Sequence, residues 1–130
     1  MVACEDHGPL SRDYLNEGTV CLTRQPGGST THIVVVLDPC ASYCDTVEAS
    51  CEASLVDGVL QLHAEGTATR PEPPPEICPG ACQPVAAQCE LPSVTAGVYE
   101  LHYKGEVVGV QLPPERPTGS PESCREPDLD

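Results

Sequence analysis

The sequence predicts an all-β domain, a small disulfide-rich antiparallel β-sandwich, and three observations carry that expectation. Apolar and polar residues alternate at the period of a β-strand. Gly, Pro, Asn and Asp clusters recur at the spacing of turns between short strands. Nine cysteines in 130 residues supply cross-links where the core is thin. The core is thin because the chain holds no Phe, no Trp, one Met and four Tyr, so its interior must be aliphatic. A disulfide typically contributes about 2–4 kcal/mol, and dense cysteine in a small chain points to an oxidising compartment.

Taken in order, residues 1–16 read as an N-terminal tether and residues 17–112 as a single domain. The first strand is expected over Thr19 to Arg24 and the second over Thr31 to Leu37, with Pro26-Gly27-Gly28-Ser29 turning between them. Asp38-Pro39 then has the form of a helix N-cap followed by proline, which predicts a short helical turn carrying Cys40 and Cys44. In the next strand Val47, Ala49, Cys51, Ala53 and Leu55 share the inner face, with Glu48, Ser50, Glu52 and Ser54 outside. Asp57-Gly58 is a hairpin signal, and it leads into a return strand with Leu60, Leu62 and Ala64 inside.

This unit is duplicated. Cys40-x3-Cys44-x6-Cys51 recurs as Cys78-x3-Cys82-x6-Cys89, and Val47, Ala49 and Glu52 match Val85, Ala87 and Glu90. After one inserted residue, the segment from Gly58 to Gly66 aligns with that from Gly97 to Gly105. The domain is therefore expected to be built around two copies of a cysteine turn plus β-hairpin, residues 40–66 and 78–105. Cys51 and Cys89 should point into the core. Tyr99, Leu101 and Tyr103 are the inward residues of the second return strand, and Val108, Val110 and Leu112 those of a last strand after Lys104-Gly105. That makes about seven short strands, the number a sandwich needs. Residues 67–77, with Arg70-Pro71-Glu72-Pro73-Pro74-Pro75-Glu76, read as an extended surface linker. Residues 113–130 read as a Pro/Glu-rich disordered tail, pinned at Cys124.

Two short stretches resemble known families. Ala96-Gly97-Val98-Tyr99-Glu100-Leu101 is similar to the Gly-x-Tyr-x-Leu segment of immunoglobulin-like domains in bacterial surface proteins. The resemblance implies an immunoglobulin-like sandwich in which the tyrosine forms a corner. Val2-Ala3-Cys4 resembles the end of a bacterial lipobox, with Met1 standing where Leu is usual. That resemblance implies acylation of Cys4, export, and a place in the bacterial cell envelope, at the periplasm or outer surface.

Setting Cys4 aside leaves an even set: Cys21, Cys40, Cys44, Cys51, Cys78, Cys82, Cys89 and Cys124. These allow 105 pairings. Each unit holds three cysteines, so at least one from each must bridge outside its unit. Bridges tying the two halves together, with Cys51 and Cys89 among them, are favoured. A zinc site is the competing reading, because Cys-x3-Cys spacing permits one and His63 and His102 recur at matched places. Both histidines alternate outward, however, away from the inward cysteines. Thiol redox catalysis normally uses Cys-x-x-Cys, which does not occur here.

Charge and motifs bound the function. Twenty acidic residues against six basic give a net charge of −14, which disfavours nucleic acid and anionic lipid as partners. No stretch approaches the roughly 18 apolar residues of a spanning helix, so contact with a membrane is expected only through the lipid. The chain carries no phosphate-binding Gly loop, no Gly-x-Ser-x-Gly and no His-Glu-x-x-His. The sequence therefore predicts no enzyme and no cofactor. It predicts a lipid-anchored binding or structural module with a protein or envelope partner of unspecified identity. Two alternatives stay open: a secreted inhibitor or toxin-like module presenting Pro71 to Pro75, and a Cys/His metal-binding domain.

Overall fold

A computed structural model describes residues 11–24, 28, 30–71, 80 and 82–119. Among them are nine strands and no helix: β1 (Ser11–Leu15), β2 (Thr19–Arg24), β3 (Thr31–Ser42), β4 (Thr46–Val56), β5 (Val59–Thr69), β6 (Cys82–Leu91), β7 (Gly97–Tyr103), β8 (Glu106–Leu112) and β9 (Thr118–Gly119). They form a five-stranded sheet and a four-stranded sheet of order β6-β3-β2-β9. In the first sheet β4 pairs β5 along its whole length. The other side of β5 is shared end to end, by β1 at residues 65–69 and by β7 at residues 59–61, with β8 beyond β7.

Local chemistry explains the hairpins. Asp57 and Gly58 have φ of 53° and 80°, and Lys104 and Gly105 have 59° and 74°. Two consecutive left-handed residues make a turn whose twist matches that of the strands it joins. The first turn sets Val56 opposite Val59, and the second sets Tyr103 opposite Glu106. Asn16 performs a different task at the gap between β1 and β7. Its backbone N–H donates to the Ala64 carbonyl at 2.8 Å, and its side-chain Oδ1 accepts from the Ala64 N–H at 2.9 Å. Both polar groups of Ala64 are thus satisfied where no strand passes. The chain then crosses to the other sheet through Gly18, at φ 81°, where a Cβ would fall on the Val36 backbone.

The two sheets share one aliphatic core. Leu22, Ile33, Val35, Leu60, Val85 and Leu112 are essentially fully buried, drawn from both sheets, and Tyr14 and Tyr103 join them. Burial of each such aliphatic side chain is worth roughly 1.5–3 kcal/mol.

Several expectations are corrected. Residues 11–16 are not tether, because β1 pairs with β5 and Tyr14 is 4% exposed. The helical turn after Asp38 is absent. Instead β3 runs through Asp38, Pro39 and Cys40 with irregular register at 36–41, and Asp38 uses its capping oxygen to accept from the Cys40 N–H at 3.0 Å. The fold is not wholly antiparallel, since β5 and β7 pair in parallel. The second unit is not a hairpin. A two-residue turn obliges β4 and β5 to pair, whereas the five-residue connection from Leu91 to Gly97 lets β6 pair with β3 and β7 with β5 and β8. β5 extends into the expected linker as far as Thr69. The start of the expected tail is ordered, with Pro114 buried and β9 paired to β2. Val108 shares the face of Val110 yet is 51% exposed, the first half of β8 being uncovered. Cys51 and Cys89 are half-buried, because β4 and β6 are edge strands.

Candidate functional site

Two disulfides join described residues, one between the two sheets and one within the four-stranded sheet. Cys51, midway along β4, bonds Cys89 on β6 with a Cα–Cα distance of 5.6 Å. This bridge ties the edge of one sheet to the edge of the other. Cys40 bonds Cys82 at a Cα–Cα distance of 4.8 Å; the irregular end of β3, where Ser42 lies opposite Cys82, brings them within reach. The bridges close loops of 42 and 38 residues, for which chain entropy gives roughly 3–4 kcal/mol each. Cys21 and Cys44 are disulfide-bonded as well. Cys4, Cys78 and Cys124 lie outside the described residues, as do Glu72 to Pro75 of the linker.

The histidines among the described residues stand against glutamates. His63 faces Glu52 across the β4–β5 ladder, and His102 Nε2 lies 3.1 Å from Glu100 Oε1. His32 Nδ1 lies 3.3 Å from Glu90 Oε2, so the matched glutamates of the two units each stand opposite a histidine. An open groove of about 620 Å³ passes over the Cys51–Cys89 bridge, lined by Glu52, His63 and Glu90. Its polar groups are exposed and solvated.

A smaller cleft, of about 260 Å³, holds the fixed charges. It opens where the ends of β1 and β5 meet the bulged end of β3, and Arg12, Tyr14, Asp38, Asp45 and Arg70 line it. Tyr14 donates its hydroxyl to Asp38 Oδ2 at 2.7 Å, while Asp38 Oδ1 takes the Cys40 N–H. The Tyr14 bond, the Cys40 bond and nearby Arg12 hold the Asp38 carboxyl below its ordinary pKa, against the effect of burial. Burial, then the bond to Asp38, pushes the Tyr14 hydroxyl up to about 12. The Arg12 guanidinium stacks 5.3 Å from the Tyr14 ring centroid.

The floor of the cleft is rigid. Gln83 Nε2 donates to the carbonyls of Ser42 and Asp45 at 2.8 and 2.9 Å, and the Asp45 N–H donates to the Ser42 carbonyl at 3.0 Å. The Cys40–Cys82 bridge locks the same two strands. None of Arg12, Tyr14, Asp45 and Arg70 was singled out by the sequence, and Asp38 read as a helix cap. Arg12 and Arg70 belong to no motif, and only their membership of a six-residue basic set marks them.

Fold and disulfides together define a class: a cross-linked all-β protein suited to an oxidising, extracytoplasmic environment. Comparison with protein-family models, curated proteins and solved structures gives no match.

Proposed function

We propose that this chain is a non-catalytic module of the bacterial cell envelope, tethered by a lipid on Cys4, whose immunoglobulin-like sandwich serves as a binding or structural unit. The Cys51–Cys89 bridge between sheets is the observation that carries the reading, since it makes a rigid scaffold for an oxidising setting out of a core without large aromatics. Tyr99 supports the immunoglobulin-like part: its hydroxyl donates to the Thr95 carbonyl four residues upstream, at the start of β7, as a tyrosine corner does. The non-catalytic part is supported by how the perturbed groups are used. Tyr14 and Asp38 bond each other, and Tyr103, pushed up to about 12 by burial and then Glu17, donates to the Glu17 carbonyl at 2.7 Å. These are scaffold contacts. Val2-Ala3-Cys4 supports the tether.

The test is the intact mass of protein taken from its native host, alongside a Cys4→Ser variant. Added acyl mass on Cys4, with release of the variant from membranes, is the expected result. An unmodified Cys4 in membrane-free protein would sink the tether.

A further inference from the structure

The cleft beside the Cys40–Cys82 bridge has an uncommitted charge pattern. Among the described residues, neither Arg12 nor Arg70 has a carboxylate within salt-bridge distance, and the Asp45 carboxylate has no hydrogen-bond partner. Asp38 is already committed to Tyr14 and the Cys40 N–H. Two of the six basic residues of a chain with net charge −14 thus converge on one cleft without an ion-pair partner among the described residues. That is unexpected where twenty acidic residues compete for them. Two guanidiniums match one carboxylate, because planar forks of donors suit its two oxygens. One free carboxylate matches one ammonium.

We propose that the cleft binds a small zwitterion of amino-acid type, its carboxylate held by Arg12 and Arg70 and its ammonium by Asp45. Volume agrees, since about 260 Å³ suits a molecule of this size and leaves little room for a folded partner. Preorganisation agrees as well. Arg12 is stacked on Tyr14, Tyr14 is pinned by Asp38, and Asp45 is carried on a turn held by Gln83. Groups fixed beforehand lose little freedom when a ligand arrives. The bulge that shapes β3 here is a device often placed beside binding sites. Two other basic groups lie away from the cleft: Arg24 sits at the opposite end of β3, and Lys104 donates to the Gly18 carbonyl at 2.8 Å.

The inference deepens the binding-module reading and rests on it; the tether is tested separately by mass. The experiment is amide and arginine side-chain NMR of the oxidised protein, titrated with glycine, leucine and glutamate. Acetylglycine, which keeps only the carboxylate, glycinamide, which keeps only the ammonium, and inorganic phosphate serve as comparisons. At least one amino acid should give saturable shifts at Arg12, Arg70, Ser42 and Asp45, and bind more tightly than the three comparisons. Arg12→Gln and Arg70→Gln should each weaken that binding by about tenfold or more, as loss of a charge-assisted bond does. Asp45→Asn should weaken the amino acid but leave acetylglycine unchanged, and Arg24→Gln should leave all binding intact. The spectra report the fold of each variant directly. Absence of saturable shifts at the cleft in folded protein overturns the proposal. So does binding of glycinamide or phosphate as tight as that of the amino acids, or binding that survives Arg70→Gln.

Discussion

At the scale of single residues, the pair of Tyr14 and Asp38 governs how stability depends on pH. The Tyr14 hydroxyl is raised to about 12, so its neutral form is favoured by folding. Its contribution is complete below the ordinary tyrosine value of about 10 and is lost as pH rises toward about 12. Tyr103, also near 12, acts in the same direction. Asp38 is lowered, so its contribution is present above the ordinary value of about 3.9 and disappears as pH falls through the lower folded one. Tyr14→Phe should cost about 1–2 kcal/mol at neutral pH by urea unfolding, the hydrogen bond to a charged partner being discounted for its partial exposure. It should also reduce the loss of stability between pH 10 and 12, leaving the part due to Tyr103. An unchanged alkaline slope would remove Tyr14 from this account. None of this was legible in the sequence: Tyr14 stands in a polar stretch, Ser11 to Asn16, that shows no strand alternation. Its burial depends on β5 offering an unoccupied edge at residues 65–69.

At the scale of elements, faces were legible and partners were not. The alternation of Leu60, Leu62 and Ala64 against Gln61, His63 and Glu65 matches the burial of β5 residue by residue. The same holds for Val85, Ala87 and Leu91 of β6. Alternation follows from strand geometry alone, because successive side chains point to opposite faces. Pairing is a property of two segments, and only short turns force it. Asp57-Gly58 does so, and the longer passage from Leu91 to Gly97 does not. The elements left most dependent on a cross-link are the edge strands β4 and β6. Removing the bridge with Cys51→Ala and Cys89→Ala together should cost about 2–4 kcal/mol in urea unfolding. Hydrogen exchange should speed up first in those two strands, since edge strands open most readily when uncoupled. Equal acceleration across β2 and β5 would mean that the bridge supports the whole core and not the edges.

At the scale of the molecule, charge and cross-linking set the terms. A net charge of −14 keeps the protein soluble and makes the compact state repel itself. Raising NaCl from about 10 to 200 mM shortens the Debye length from roughly 30 to below 10 Å. The oxidised protein should therefore gain a few degrees in melting temperature, on the order of 1 kcal/mol; a fall would show that attractive ion pairs outweigh the repulsion. The sequence by itself determined the all-β class, the inward faces of most strands, the two tight turns and the reliance on disulfides. Each of these follows from period, from left-handed turn chemistry or from composition, which are local properties. The parallel pairing of β5 with β7, the division of the second unit between two sheets and the cleft of Arg12, Arg70 and Asp45 were decided only by tertiary structure. Arg12 and Arg70 lie far apart along the chain and meet because β1 and β5 pair with Ser11 opposite Thr69. Proximity of that kind arises from the pairing of strands distant in the chain, and no local pattern records it.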